Sequence, residues 1–233
     1  MTEFLIFTLT APMGSFGDMA GHERRGTLHW PGKSAILGLV GAALGIRRCD
    51  RPGQAALRDW QVAVSVLFEG TPLRDFHTVQ SVPSAKIKNP ASRRVAFTVA
   101  GKDLNTIITQ RDYLSDICLG VSLWAEPAPM PLSDMAKALR QPVFTLYLGR
   151  KSCPLSAPLA PLVTEADNPM EALRRVRLPD WLSGVDTGKP ALIASDPFAG
   201  LTPDRLENRW DIPIDRQRWH FAQRLVEIHG GHG

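Results

Sequence analysis

Apolar and polar positions along this chain switch between two periods, and the switches mark its elements. Thr2 to Leu9 is a short apolar run that predicts a first strand. From Lys33 to Leu44 the period lengthens, with Ile36, Leu37, Val40 and Leu44 at helical spacing. Gly38, Gly41 and Gly45 beside Ala35, Ala42 and Ala43 make this a thin-walled helix. Each internal glycine costs about 1 kcal/mol against alanine, so close packing against a sheet or partner is expected. The stretch between them, Gly14 to Gly26, reads as a glycine-rich loop. Gln61 to Phe68 alternates as a second strand, and Leu73 to Val79 is a weaker third. Asp116 to Trp124 is a strongly apolar strand. Ser133 can cap a helix from Asp134 to Arg140 that stops before Pro142, and Phe144 to Leu148 is a further strand.

The order β-α-β-β-insert-β-α-β predicts an α+β chain of the ferredoxin-like, RNA-recognition-motif type with a protruding β-hairpin thumb. Arg94–Val99 and Leu104–Thr109 flank Ala100-Gly101-Lys102-Asp103 and read as the arms and turn of that hairpin. Nine of the 19 prolines follow Lys151, which predicts an irregular C-terminal region. One helix stands out there, with Asn168 as cap, Pro169 in the first turn and Met170 to Arg177 as body. The expected division is a domain over 1–150, with its insert at 80–111, and a proline-rich extension over 151–233 packing on it.

Charge changes this picture at one place. Residues 80–111 hold Lys86, Lys88, Arg93, Arg94, Lys102 and Arg111 against Asp103 alone, a net of +5 in a chain whose total is +4. A nearly neutral body thus carries one concentrated positive arm, and a polyanion that supplies countercharge is its natural partner. No apolar run approaches the roughly 20 residues that span a bilayer, so no membrane partner is expected. Glu3 before a short apolar run gives no cleavage signature. Cys49, Cys118 and Cys153 are widely spaced and odd in number, which suggests reduced thiols in a cytoplasmic setting, with Cys118 as core.

Pro31-Gly32-Lys33-Ser34 precedes the glycine helix and invites a phosphate-loop reading, but Thr27 stands where that pattern requires glycine. Lys33, Ser34 and the free amides of a helix start could still hold a backbone phosphate, with Arg24, Arg25 and His29 upstream. Leu148-Gly149-Arg150-Lys151-Ser152 directly follows the last predicted strand. Gly149 permits a sharp turn that presents two cations and a hydroxyl, a set suited to a phosphodiester. Catalysis is poorly provided for. His77 or Tyr113 could act in metal-independent RNA cleavage, the alternative reading. No carboxylate cluster suits two-metal chemistry, no nucleophile elbow is present, and His220, His229 and His232 have no recognised ligand spacing. No catalytic residue, metal or cofactor is therefore expected.

Taken together, several segments resemble the CasD family of Cascade, the type I-E CRISPR surveillance complex. They are Ala11-Pro12-Met13, the stretch from Pro31 to Ile46, Asp75 to Val79, Ile108 to Asp116, and Tyr147 to Leu155. They occur in the family's order over roughly residues 3 to 160. Ala11 stands where the family has glycine and Phe16 where it has tryptophan. The resemblance implies an RNA-recognition-type fold with a thumb, and binding and capping of the CRISPR RNA 5′ handle. It also implies the CasA large subunit and CasC backbone subunit as neighbours, target DNA met only indirectly, and no catalysis, since a separate endonuclease serves this subtype. Carried over by position, Arg25, Lys33, Ser34, Arg150, Lys151 and Ser152 become handle contacts. Arg24, His29, Arg111 and Tyr147 join them as RNA-binding candidates. Lys86, Lys88, Arg93 and Arg94 join on charge and position alone.

Overall fold

In the computed structural model, which describes every residue except 22, 84, 86–88, 183, 185–189 and 231–233, strand β1 (Thr2–Gly14) is buried on both faces from Phe4 to Thr10. Strand alternation sends its two sets of side chains to two cores. Leu5, Phe7 and Leu9 enter the larger one beneath helices α1 (Lys33–Ala43) and α4 (Leu132–Arg140). Phe4 and Ile6 enter a smaller one with Trp124, Leu173 and the half-buried Phe198. Each such side chain contributes about 1.5–3 kcal/mol on full burial, so β1 is the axis of the fold.

β1 pairs antiparallel with β6 (Asn105–Trp124) on one side and β7 (Leu162–Ala166) on the other. Beyond β6 lies β4 (Gln61–Phe68), also antiparallel. The sheet then continues through β8 (Leu192–Ser195) and β10 (His220–His229) to β9 (Arg205–Asp215) at its edge. The chain is thus α+β, with a large mixed sheet and few helices.

Several expectations need correction. The Gly14–Gly26 stretch is two strands, β2 (Phe16–Ala20) and β3 (Arg24–Leu28), not a loop. Phe16 is buried and its N–H donates to the Thr27 hydroxyl, while β3 pairs in parallel with β6 at Arg24↔Gln110 and Arg25↔Arg111. Backbone pairing with a long neighbour overrides the local glycine content.

The projecting hairpin exists, but its arms are β5 (Thr71–Ser81) and the first half of β6, paired from Thr71↔Ser115 to Ser81↔Asn105. The stretch predicted as one arm is helix α3 (Arg93–Ala100), because Ser92 caps it by accepting the Val95 N–H and buries Ala96 and Ala100 four residues apart. Alternating Val and Thr had mimicked a strand.

Phe144 to Leu148 is not a strand either; only the bridge Tyr147↔Pro154 forms. Its backbone is used elsewhere, since the N–H groups of Val143 and Phe144 donate to Ala43 and Ala42 at the end of α1. β7 takes the place beside β1 instead. The position capping α4 is Pro131 rather than Ser133. Asn168 caps α5 as expected, accepting the Glu171 N–H, although α5 is shorter, Pro169–Leu173.

The C-terminal third is not irregular, because β7 to β10 lie in it. Most of its prolines fall between these strands, and Pro213 sits at a register shift of edge strand β9, where no ladder donor is needed. Helix α2 (Arg51–Arg58), not anticipated, explains one glycine of α1: a Cβ on Gly41 would stand 2.9 Å from Leu57 Cδ1. Cys118 is buried, and burial pushes its thiol up to about 11.

Candidate nucleic-acid interface

Where β6 leaves the core it is flanked by β3 on one side and β5 on the other, and this junction gathers the exposed arginines. Asp112 of β6 is the pivot. Arg24 of β3 donates to its Oδ2 from Nε (2.9 Å) and Nη2 (2.8 Å), and Arg74 of β5 donates from Nε to its Oδ1 (2.8 Å). The Arg74 hydrogen bond, with the Arg24 guanidinium beside it, holds the Asp112 carboxyl below its ordinary range. Arg25 and Arg111 stand side by side in the β3/β6 register, with Asp75 opposite Arg111 on β5.

The loop from Leu148 to Cys153 completes the cluster. It is a tight turn closed by Leu148 N–H to Cys153 O (2.8 Å) and Cys153 N–H to Arg150 O (2.9 Å), and it docks through Ser15 N–H to Leu148 O. Gly149 has φ +86°, and a Cβ there would lie 1.7 Å from Ser15 O. Only glycine fits that approach. The turn lays the Arg150 guanidinium 4.5 Å over the buried ring of Tyr113 and lets Nη2 donate to Arg25 O (3.3 Å). Arg150 Nη1 is buried without a hydrogen-bond partner among the described residues, and Lys151 and Ser152 are exposed beside it. A pre-positioned guanidinium with an unused donor, among further arginines, suits a phosphate oxygen.

Lys33 is placed differently. Its side chain is 5% exposed, and Nζ lies 3.0 Å from Asp196 Oδ2 and 3.4 Å from Gln61 Oε1. Its own N–H, the free amide expected to meet a phosphate, donates to Asp211 Oδ2 at 2.7 Å. Arg224 closes the ring with Nη1 on Asp196 Oδ1 (2.6 Å) and Nε on Asp211 Oδ1 (2.6 Å). Burial opposes the charge on Arg224, but these two carboxylates outweigh it and hold its pKa above the ordinary value. The N-terminus of α1 is therefore already occupied, by a carboxylate from β9.

Of the other predicted residues, Ser34 is half-buried with its carbonyl accepting from Arg216 Nη2 (2.8 Å), and His29 is exposed just past β3. Tyr147 is half-buried at its bridge. Arg93 and Arg94 open α3 at the far end of the ribbon, and Arg93 lies 5.3 Å over Phe97. Lys86 and Lys88 lie outside the described residues. Arg74 and Asp112 were missed in sequence, although pairing the alternating runs of β5 and β6 sets them opposite each other.

An α+β sheet with an arginine-rich junction and a projecting ribbon defines the class. The chain belongs to the CRISPR-associated Cas5 family, whose model matches residues 4–227. It is similar to the CRISPR system Cascade subunit CasD of Escherichia coli (strain K12), with 37% identity over 183 residues, 74% of this chain and 76% of that one. Among solved structures it is similar to a chain of a CRISPR RNA-guided surveillance complex, with a TM-score of 0.62 and 25% identity over 97% of this chain and 88% of the other. A crystal structure of a Cas protein is similar to the same degree, TM-score 0.62 and 25% identity, over 99% and 98% of the two chains.

Proposed function

We propose that this chain is the subunit of a Cascade-type surveillance complex that binds and caps the 5′ handle of CRISPR RNA, without cutting it. One observation carries the reading: Arg24, Arg25, Arg74, Arg111 and Arg150 converge at one sheet junction, and Arg150 keeps a donor free there. Single-stranded RNA ends are gripped through phosphates and splayed bases, and Lys151 and Ser152 add a charge and a hydroxyl at the rim. The order β7-β1-β6-β4 with α1 and α4 over one core supports a ferredoxin-like assignment for the central part. The β5/β6 ribbon with α3 would be its thumb, docking a CasC-type backbone neighbour. A CasA-type large subunit would lie beside the capped handle, so that target DNA is met only through the guide.

The spacing of the two possible catalysts supports a non-catalytic role. Tyr113 pairs with Leu73, and His77 lies four residues farther along β5, about 13 Å away at strand rise. His77 Nε2 is 2.5 Å from Asp75 Oδ2, and the Tyr113 ring lies under Arg150. Neither is set to serve the other as acid and base. Copurification of the assembled complex with Arg150→Ala and Lys151→Ala is the test. Loss of CRISPR RNA retention is expected; full retention would refute the handle contacts. Cleavage of repeat RNA in EDTA that His77→Ala abolishes would instead establish a nuclease.

A further inference from the structure

A second basic site lies away from the Arg150 junction, between α2 and the turn joining β9 to β10. It is a cavity of about 180 Å³ lined by Arg48, Arg51, Arg58 and Arg216, with Asp215 the one carboxylate in its wall. At ~30 Å³ per water this has room for roughly six, enough for a hydrated oxyanion. Asp215 is largely spent: its Oδ1 accepts the N–H groups of Gln217 (2.8 Å) and Arg218 (3.1 Å), and Oδ2 lies 3.9 Å from Arg218 Nε.

Arg216 is the telling residue. Its Nη2 donates to Ser34 O, yet its buried Nε has no hydrogen-bond partner among the described residues. Burial, then the nearby Arg48 charge, depress its pKa below the ordinary value. A buried guanidinium with an idle donor, facing like charge, lacks an anion. Gly38 of α1 leaves space for it, since a Cβ there would stand 3.4 Å from Arg216 Nη1. An aromatic platform adjoins the cavity. Trp219 is 61% exposed, with Arg48 4.8 Å from its ring centre on one side and Phe221 at 6.3 Å. Arginine forks beside an exposed indole match a nucleotide, phosphate on the forks and base on the ring, better than a bare anion or an acidic peptide.

We propose that this cavity is a second single-stranded nucleic-acid site, taking one backbone phosphate against Arg51, Arg58 and Arg216 and a base against Trp219. It is independent of the handle reading, because it shares no residue with the Arg150 junction.

The test titrates the full-length chain with a short fluorescein-labelled oligouridylate. Arg51→Glu with Arg58→Glu should weaken binding and reduce the magnitude of the log–log salt slope by about 1.4, at ~0.7 per phosphate contact. Trp219→Ala should cost about five- to 100-fold in affinity without moving the unfolding transition. Both effects should persist in a chain already carrying Arg150→Ala, which separates this site from the handle site. Unchanged affinity and slope in the Arg51→Glu, Arg58→Glu chain would overturn the proposal. So would pyrophosphate displacing the oligouridylate while Trp219→Ala has no effect, or polyglutamate binding as tightly with the same indifference to Trp219.

Discussion

Gly32-Lys33-Ser34 and Gly149-Arg150-Lys151-Ser152 share the order glycine, cation, hydroxyl, yet the fold gives them opposite settings. Lys33 sits in a closed ring of two cations and two carboxylates with its side chain 5% exposed, joining α1 to β4, β9 and β10. Arg150 lies on an aromatic ring at the surface of a junction where arginines outnumber carboxylates and one donor is unused. Buried pairs are costly to break because each lost partner strands a charge in low dielectric. Exposed arginines contribute little to stability and keep their charge available to a ligand. Neutrality, rather than residue type, separates a structural ion cluster from a binding one.

Breaking the closed ring should have the largest effect. Asp196 accepts from Lys33 Nζ, Arg224 Nη1 and the Val62 N–H. Asp196→Ala therefore strands two buried cations and a backbone donor at once. The expected loss is about 3–5 kcal/mol, read from the urea midpoint, with any protein that remains folded binding RNA as before. Arg150→Ala should shift the same midpoint by under about 1 kcal/mol while lowering RNA affinity. If the two variants lost equal stability, the contrast between the clusters would be mistaken.

Gly149→Ala comes next, because it attacks the open cluster through its backbone. At φ +86° a side chain is strained by about 1–3 kcal/mol, and the clash with Ser15 O can be relieved only if the loop from Leu148 to Cys153 lifts off. RNA affinity should fall as far as in Arg150→Ala although no charge has been removed. Retained affinity would mean that the turn does not position Arg150.

What was legible in the sequence follows the same division. The period-two and helical runs of β1, β4 and α1 are where expected, because burial of one pattern decides them. The Gly149 turn was visible too, since few residues but glycine make it. The fate of Lys33 was not, because its partners Asp196 and Asp211 lie more than 160 residues away. No local pattern near Lys33 announces a carboxylate from another strand. The thumb helix was hidden for a different reason: Val95, Thr98 and Val99 favour strands, and only the Ser92 cap with Ala96 and Ala100 tips the balance.

Asp112 tests the comparison most finely, since it is the one carboxylate that holds two arginines at the open junction. Its folded pKa lies below the ordinary value of 3.8, first through Arg74 and then Arg24. A depressed carboxylate stabilises the fold above its unfolded pKa, and that contribution is lost as pH falls through the folded value. Arg24 and Arg74 are 60% and 44% exposed, so solvent and salt screen the attraction. Asp112→Asn should therefore lower the urea midpoint only slightly near pH 7, and the gap between the two proteins should close as pH drops below 3.8. The same substitution should tighten RNA binding at neutral pH, because two arginines are released and a negative charge is removed. A large loss of stability at pH 7, or weaker RNA binding, would show that Asp112 holds the junction together in the way Asp196 holds the ring.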